Sequence, residues 1–290
     1  MSSVGESFLV GLIGEGVIPS LTPPMHEREA DHQGLRYLYR PIDLTTIGRP
    51  GSDIGVLLHQ ARDLGYNACN VTHPCKQEVL AHLDDISDTA AAIGAVNTVL
   101  IRDGRLIGDN TDVSGFGTAL RTGLPAADLS SVVLLGAGGA GAAVSHALLA
   151  AGVRRLAIVD LDRSRADDRA ESLLARYPDA TVSTGTPDAL PRLLPLATGL
   201  VHATFVGMHS HPGLPVPAEL LRPDLWVADI VYRPLVTELV AAATALGASV
   251  LDGGHMATGQ AVDTFRLITG LEPDAARMRA HFLELIEEGR

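Results

Sequence analysis

The chain of 290 residues carries 22 basic and 34 acidic side chains, a formal net charge of −12, and 46% of its residues are hydrophobic. This charge disfavours nucleic acid or an anionic membrane as a partner. No apolar run reaches bilayer length, and the N-terminus does not resemble a secretion signal, so we expect a globular cytoplasmic protein. Cys69 and Cys75 form neither a disulfide framework nor a metal-ligand pattern, which favours a reducing compartment and no metal.

The first 112 residues alternate strand-like and helix-like segments. Strands are predicted over residues 8–13, 35–44, 66–71, 96–101 and 106–107, and helices over residues 25–33, 54–64 and 76–83. Arg102-Asp103-Gly104 separates the last two strands and is typical of a hairpin turn. The alternation predicts a small α/β domain.

A glycine-rich segment follows the apolar strand predicted over residues 131–135. Its glycines at 136, 138 and 141 fit G-x-G-x-x-G, and the Ala-rich stretch 142–151 reads as a helix. A second strand, 155–159, ends in Asp160, which follows the last glycine by 19 residues. Such a strand–turn–helix–strand unit is typical of a dinucleotide site, with pyrophosphate at the helix N-terminus and the acidic residue at the adenosine ribose. A tight glycine-rich turn without a ligand is the alternative.

The rest of the chain continues this alternation. Helices are predicted over 166–176 and 236–246, strands over 180–184, 200–204, 226–231 and 248–251, and a surface connection with a short helix over 184–196. We therefore predict a Rossmann-like, doubly wound dinucleotide-binding domain over residues 113–254. Residues 255–290 read as two helices without a strand between them, and we expect them to complete the catalytic domain of residues 1–112.

The residue at the predicted ribose position bears on the choice of dinucleotide. The Asp160 carboxylate would repel a 2′-phosphate, which favours NAD over NADP. Arg163 and Arg165 lie nearby and would favour NADP if they face the ligand. They also suit solvated charges in a loop of mixed sign.

Four polar clusters lie at strand ends or turns of the first domain, over residues 19–23, 70–76, 96–98 and 108–112. Ser20 and Thr22 are suited to binding a carboxylate from an extended segment, or to capping a helix before Met25. Lys76 beside a carboxylate such as Asp112 would form a coupled pair for proton transfer, although a surface lysine in a first helical turn is the alternative.

The histidines offer weaker candidates. His73 and His255 are more plausible as pocket lining than as catalysts. His202, His209 and His211 cluster in sequence but lack a carboxylate or thiolate at ligand spacing, so we interpret them as loop residues rather than a metal site.

Taken together, the clusters and the glycine loop resemble one family, the shikimate dehydrogenases, including the quinate/shikimate dehydrogenases. The matching motifs follow the family's order through nearly the whole chain: Ser20-Leu21-Thr22-Pro23, Asn70-Val71-Thr72-x-Pro74-x-Lys76, Gly94-Ala95-Val96-Asn97-Thr98, Gly108-x-Asn110-Thr111-Asp112, Gly136–Gly141, Ala203-Thr204-x-x-Gly207-Met208, Asp229-x-Val231-Tyr232-x-Pro234 and Gly254-x-Met256-x-x-x-Gln260.

This resemblance implies a role for each group of residues. Ser20 and Thr22 would bind the substrate carboxylate, and Lys76 with Asp112 would form the acid/base dyad. The substrate hydroxyls would be held by Thr72, Asn97, Gln260 and, at the pocket wall, Tyr232. The cofactor would contact Gly136, Ala137, Gly138, Gly139, Ala140, Gly141, Asp160, Arg163, Thr204, Val206, Gly253 and Met256.

Three positions depart from the common family pattern. Thr22 replaces a serine, His202 stands where Asn is frequent, and Asp160 stands where strict NADP members carry Asn-Arg-x. The first and third departures resemble the NAD-using quinate/shikimate branch, as does the run from residue 35 to 44.

The resemblance therefore implies NAD-preferring, reversible oxidation of quinate or shikimate to the 3-dehydro acid by a monomer or homodimer. The enzyme alternatives are a biosynthetic NADP-dependent shikimate dehydrogenase and an aminoshikimate or aminoquinate dehydrogenase. A catalytically silent ligand-binding protein is a further alternative, against which the intact Lys76 and Asp112 argue.

Overall fold

The computed structural model describes residues 7–289; residues 1–6 and 290, which the predicted first domain includes, lie outside this range. The described chain forms two compact units. Unit 1 lies within Met1–Thr111 and Gln260–Arg290, and unit 2 is Asp112–Gly259. Between residues 7 and 289 no helix has the length and apolar character needed to cross a membrane.

Each unit contains one six-stranded sheet. The strands are β1 (Ser7–Gly14), β2 (Arg36–Asp43), β3 (Ala68–Val71), β4 (Asp85–Ile86), β5 (Thr98–Arg102), β6 (Arg105–Asp109), β7 (Ser131–Leu135), β8 (Arg155–Val159), β9 (Thr181–Gly185), β10 (Gly199–His202), β11 (Trp226–Asp229) and β12 (Val250–Leu251). The order is β2-β1-β3-β5-β6-β4 in unit 1 and β12-β11-β10-β7-β8-β9 in unit 2.

Helices connect most of these strands. They are α1 (Thr22–His32), α2 (Leu44–Ile47), α3 (Ile54–Asp63), α4 (Cys75–Glu78), α5 (Asp88–Ile93), α6 (Thr111–Gly123), α7 (Gly139–Ala150), α8 (Arg163–Arg176), α9 (Leu190–Leu193), α10 (Glu238–Ala245), α11 (Gly253–Thr269) and α12 (Ala275–Glu287). Short 3-10 turns occupy Gly51–Asp53, Val79–His82, Pro187–Ala189, Leu194–Leu196 and Ala218–Leu220.

The sheet of unit 1 is mixed. β1 pairs in parallel with β2 and β3, whereas β5 runs antiparallel to both β3 and β6. The predicted hairpin between β5 and β6 is confirmed, and Asp103 and Gly104 both adopt positive φ angles, 52° and 76°. Positive φ at both central residues is the geometry that matches the twist of the paired strands.

The sheet of unit 2 is parallel in its five pairings. Along β7, Val132 and Leu134 pack into one apolar cluster while Val133 and Leu135 pack into another, because alternate side chains face opposite sides of a sheet. Burying each such side chain stabilises the fold by about 1.5–3 kcal/mol. The mixed and parallel sheets confirm the predicted fold class, two α/β domains of which the second is Rossmann-like.

One local prediction was wrong, and one helix was missed. The stretch 76–83 is not one helix, because the Lys76 carbonyl accepts the Val96 backbone N–H at 2.8 Å and the chain continues past Glu78 as a 3-10 turn. Helix α6 was not predicted at all. A Cβ on Gly259 of α11 would lie 2.8 Å from the Gly115 carbonyl oxygen of α6, so glycine at position 259 permits the close approach of the two helices.

Candidate active site

One edge of the unit 1 sheet gathers several of the sequence-predicted substrate residues. β1, β2, β3 and β6 end at this edge and β5 begins there. Backbone bonds join neighbouring strand ends: Thr72 N–H donates to the Ile13 carbonyl at 3.0 Å and Val71 N–H to the Asn97 carbonyl at 2.8 Å. The carboxyl ends of sheet strands are where α/β proteins commonly bind ligands.

Ser20 and Thr22 lie where α1 begins. Thr22 is the first residue of the helix and Leu21 its N-cap, without a side-chain cap bond, so neither an extended pair nor a hydroxyl cap before Met25 describes them. The Ser20 hydroxyl accepts the Thr22 backbone N–H at 3.3 Å. Both residues are half-buried, and the Ser20 hydroxyl keeps its own proton to donate to a ligand.

A residue that the sequence analysis missed, Asp43, holds the loop before Ser20. Its carboxylate lies at the end of β2 and accepts backbone N–H bonds from Ile18 at 3.2 Å and from Thr45 at 3.0 Å. Burial alone would raise the pKa of Asp43, but these backbone bonds outweigh it and lower the pKa below its ordinary value. Asp43 is therefore ionised near neutral pH and anchors the loop.

Lys76 lies on α4 and is half-buried. It is the only lysine in the sequence, and the other 21 basic residues are all arginines. Arginine cannot release its proton in a protein, whereas a lysine ammonium can. The lysine count was a signal in the sequence that would have singled out Lys76 as a proton-transfer residue.

A buried hydrogen-bond network surrounds Asn97, which is 4% exposed. The Asn97 amide nitrogen donates to the Thr111 hydroxyl at 2.9 Å, and its oxygen accepts the Thr111 backbone N–H at 2.9 Å. The Thr111 hydroxyl also bonds that of Thr264 on α11 at 2.9 Å. Gln260 precedes Thr264 by one helical turn and so lies on the same face of α11.

Two other predicted residues belong to unit 2. Asp112 directly follows Thr111, is 6% exposed and lies in the first turn of α6. Tyr232 is half-buried, three residues after β11. Burial raises the pKa of Tyr232, so its hydroxyl is protonated near neutral pH and can donate a hydrogen bond.

The glycine loop joins β7 to α7 in unit 2. Gly136 has a φ of 98°, and a Cβ on Gly141 would collide with the Gly136 carbonyl, so both positions require glycine. Gly138 differs, because a Cβ there would meet no protein atom within 4 Å. Open space beside Gly138 and the following N–H groups of α7, which include those of Gly139 and Ala140, fit a pyrophosphate.

Asp160, after β8, is tied to this loop. Its carboxylate accepts the Ala137 backbone N–H at 2.7 Å and the Asp162 N–H at 2.9 Å. Each oxygen retains a lone pair that can accept from a ribose hydroxyl. The Ala137 N–H, by contrast, already donates its hydrogen bond to Asp160 and is not left for a pyrophosphate.

The nearby arginines already have carboxylate partners. Arg163 Nε lies 3.0 Å from Asp167, and Arg165 lies 3.8 Å from Asp162 and 4.0 Å from Asp160. Both arginine side chains are more than half exposed. The surroundings of Asp160 therefore carry one more negative than positive charge.

The remaining residues predicted to contact the cofactor differ in their structural surroundings. Thr204 and Val206 lie in a turn after β10, where the Thr204 hydroxyl accepts the Val206 backbone N–H at 3.2 Å. Met256 is 8% exposed and packs in the apolar core of unit 2. Packing within the protein requires glycine at position 253, since a Cβ there would collide with the Val231 carbonyl.

The histidine interpretation was wrong for one residue. His202 is not in a loop: it ends β10, is fully buried and bonds Asp229 at 2.9 Å. Asp229 belonged to a matched motif, but its role was missed because the partners lie 27 residues apart in sequence. Within residues 7–289 no group of three or more His, Cys, Asp or Glu side chains is arranged to hold a metal ion.

Known proteins that are similar to this chain in sequence and structure belong to one family. Residues 12–99 match the family model described as the shikimate dehydrogenase substrate binding domain. The chain is 62% identical over 286 residues to the shikimate dehydrogenase (NADP(+)) of Pseudarthrobacter chlorophenolicus, covering 99% of this chain and 98% of that one.

Relatives with a different cofactor in their names are also similar. The quinate/shikimate dehydrogenase (NAD(+)) of Corynebacterium glutamicum strain R is 48% identical over 283 residues, which cover 97% of this chain and 100% of that one. The structure of quinate dehydrogenase from Corynebacterium glutamicum in complex with NAD superposes with a TM-score of 0.90 at 47% identity, covering 96% of this chain and 99% of that one. The chain therefore belongs to the shikimate dehydrogenase family of oxidoreductases.

Proposed function

We propose that the protein catalyses the reversible oxidation of shikimate and quinate at the 3-hydroxyl, with NAD preferred over NADP. The observation that carries the proposal is the sole lysine, Lys76, at a sheet edge that also holds Ser20, Thr72 and Asn97. Unit 1 would be the substrate domain and unit 2 the dinucleotide domain. The names of the Pseudarthrobacter and Corynebacterium relatives support the substrate class.

The polar residues of unit 1 would bind and orient the substrate. The hydroxyls of Ser20 and Thr22 would hold the carboxylate, and Thr72, Asn97 and Gln260 would hold ring hydroxyls. Tyr232 of unit 2 would donate a further bond at the pocket wall. Because two hydrogen bonds to Thr111 fix the Asn97 side chain, its amide is already oriented within the proposed site.

Proton transfer would fall to Lys76 and Asp112. In the oxidation direction the lysine amine accepts the proton of the reacting hydroxyl while the carbon gives up hydride, and in reduction the ammonium returns the proton. Asp112 is the proposed partner of Lys76 in this step. The bound dinucleotide supplies the hydride acceptor in one direction and the donor in the other.

The charges around Asp160 support NAD. A 2′-phosphate would meet a carboxylate that already accepts two backbone bonds, and Arg163 is paired with Asp167. A carboxylate and a phosphate at about 4 Å repel by about 1–4 kcal/mol at surface dielectric values.

A second candidate, shikimate oxidation with NADP, is favoured by one observation. The Pseudarthrobacter relative at 62% identity is named an NADP enzyme. The exposed Arg163 and Arg165 would then turn from their carboxylate partners to the 2′-phosphate, at a cost of about 1 kcal/mol or less for each exposed pair.

Initial rates at the reduced-nicotinamide absorbance band test both candidates. Quinate and shikimate are each paired with NAD and with NADP. Activity on both acids with NAD supports the proposal. Activity restricted to shikimate with NADP supports the second candidate, and no turnover with any pair contradicts both.

The variant Asp160→Asn tests the reason for the preference. Removing the charge should raise kcat/KM for NADP relative to NAD by about tenfold or more, since 1.4 kcal/mol corresponds to tenfold. Asp162→Asn is the matched control, because it removes a neighbouring charge from a side chain that caps α8. An equal change in both variants would contradict a specific role for Asp160.

We also propose that the protein works in the cytoplasm. Cys69 and Cys75 are both buried free thiols in the structure. Unpaired buried cysteines are in keeping with a reducing compartment.

A further inference from the structure

A chain of polar side chains links the ends of β10 and β11 in unit 2. His202 Nδ1 lies 2.9 Å from the Asp229 carboxylate, and His202 Nε2 lies 2.6 Å from the Thr204 hydroxyl. The other Asp229 oxygen accepts the Thr237 hydroxyl at 2.7 Å. His202, Asp229 and Thr237 are each at most 2% exposed, so the two bonds of the Asp229 carboxylate to His202 and Thr237 are shielded from water.

The chemistry of the partners sets the direction of these bonds. An ionised carboxylate only accepts, so His202 Nδ1 carries a proton and donates it to Asp229. A neutral ring then accepts the Thr204 hydroxyl proton at Nε2, whereas a protonated ring would donate to the Thr204 oxygen. In both states the imidazole fixes the position of the Thr204 oxygen.

That oxygen in turn shapes the backbone of the turn over residues 204–207. It accepts the Val206 backbone N–H at 3.2 Å. Gly207 N–H donates to the His211 carbonyl at 2.7 Å, which closes the far side of the turn. The turn also backs onto the glycine loop, since a Cβ on Gly136 would lie 2.5 Å from the Ala203 carbonyl oxygen.

The strand order indicates which half of a dinucleotide would reach this turn. β8, which ends before Asp160, lies on one side of β7, and β10 lies on the other. With pyrophosphate at the loop after β7 and the adenosine ribose at Asp160, the nicotinamide half extends towards β10. The turn over residues 204–207 therefore lies on the nicotinamide side of the sheet.

We propose that His202 and Asp229 are positioning residues that hold the 204–207 turn in its dinucleotide-binding shape by fixing the Thr204 hydroxyl. The inference rests on the proposed function, because it takes Thr204 as a contact of the dinucleotide. Asp229 also accepts the Val231 backbone N–H at 2.9 Å. The same carboxylate thus holds the segment that leads to Tyr232.

A double-mutant cycle tests the inference. Dissociation constants for NADH are measured by titration calorimetry on wild type, His202→Asn, Thr204→Val and the double variant, together with KM and kcat. An Asn side chain is too short to bridge Asp229 and Thr204. Each single variant should raise the dissociation constant about tenfold while KM for the polyol acid changes less than twofold. The NADH dissociation constant of the double variant should match those of the single variants, because each single substitution already breaks the same bond between His202 and Thr204.

Two further variants complete the design. His202→Gln carries an amide long enough to bond the Thr204 oxygen, so its NADH dissociation constant should lie closer to wild type than that of His202→Asn. His146→Asn is the matched control, since His146 is also buried, at 7% exposure, and bonds Tyr177 at 3.2 Å. It should leave the NADH dissociation constant unchanged.

Independent effects that multiply in the double variant, or unchanged NADH affinity in His202→Asn and Thr204→Val, would overturn the inference. Wild-type protein that binds no NADH would instead contradict the proposed function.

Discussion

Lys76 illustrates how a single residue type can indicate chemistry. The chain uses arginine at 21 positions and lysine at one, and that one lies at the sheet edge beside Thr72. An arginine there would keep the positive charge but could not exchange a proton with a substrate hydroxyl near neutral pH. The choice of lysine therefore supports a role in proton transfer rather than in charge alone.

The variant Lys76→Arg tests this distinction. We expect kcat to fall by about 10²–10⁴-fold, the usual contribution of a positioned acid or base. The NADH dissociation constant should stay within twofold of wild type, because the glycine loop lies in unit 2. Arg49→Lys is the converse control at an exposed pair with Asp53 and should retain full activity. Turnover of Lys76→Arg within fivefold of wild type would exclude Lys76 as the proton carrier.

Also at the scale of single residues, the sequence shows which charged residues lie near the predicted ribose position but not which of them are paired within the protein. Asp160 and Arg163 both lie near the predicted ribose position, and the sequence favoured NAD because of Asp160 while it left open whether Arg163 faces the ligand. The pairing of Arg163 with Asp167 depends on the helical geometry of α8, and the bond from Ala137 to Asp160 on the meeting of two strand ends. Both need three-dimensional information.

Among the elements, the glycine loop with α7 was the most predictable. Gly136 and Gly141 are required by backbone conformation and by close approach, so their spacing carries structural information. Gly138 faces open space, so packing within the protein does not require glycine there, and the proposed function explains its absent side chain by the approach of a pyrophosphate.

Alanine variants distinguish a glycine that the backbone packing requires from a glycine that leaves room for a ligand. Gly138→Ala should leave the melting temperature within about 2 °C of wild type, as expected for a surface change below about 0.5 kcal/mol. It should nevertheless raise the NADH dissociation constant at least tenfold by occupying the pyrophosphate position. Gly141→Ala should lower stability by about 1–3 kcal/mol, since its Cβ collides with backbone. Unchanged NADH affinity in Gly138→Ala would show that pyrophosphate does not approach that residue.

Helix α12 is held on α1 by a buried carboxylate. Glu29 is 1% exposed and is bonded by Arg277 through two nitrogens, at 2.7 and 2.8 Å. Burial opposes ionisation of Glu29, but the bonds from Arg277, Asp274 and Gln33 outweigh it and lower the pKa of the carboxyl. The pair therefore stabilises the fold where Glu29 is ionised.

Arg277→Met should lower the free energy of unfolding by about 3 kcal/mol near pH 7, because it leaves a buried charge without its partner. The folded-state pKa is depressed, so this stabilisation is complete above the ordinary value of 4.5 and is lost as pH falls. Urea unfolding at pH 7 and below pH 4 should show the gap between variant and wild type shrinking. Arg28→Met, whose partner Glu284 is 52% exposed, should cost less than about 1 kcal/mol. A pH-independent gap would contradict this account.

Other elements could not be predicted because tertiary contacts override local preference. Helix α6 contains Gly115 and Gly117 and was not recognised, yet its Phe116 is 1% exposed in the core of unit 2. Conversely, the helical pattern after Lys76 is interrupted by a bond from Val96, a residue distant in sequence. The spacing of hydrophobic residues along the chain predicts neither the burial of Phe116 nor the bond from Val96.

For the whole molecule, the fold class followed from the order of strands and helices, and the parallel sheet of unit 2 is the expected outcome of β–α alternation. The two units divide the chain between the adjacent residues Thr111 and Asp112. Lys76 and Asp112 thus belong to different units. In the proposed function the substrate binds to unit 1 and the dinucleotide to unit 2, so hydride passes from the first ligand to the second.

Isotope transfer tests that requirement most directly. Shikimate carrying deuterium on carbon 3 is incubated with the protein and NAD, and the mass of the reduced dinucleotide is measured by mass spectrometry. Direct hydride transfer predicts NADH that is one mass unit heavier than with unlabelled shikimate. NADH without deuterium, or no reduced dinucleotide from either NAD or NADP, would contradict it.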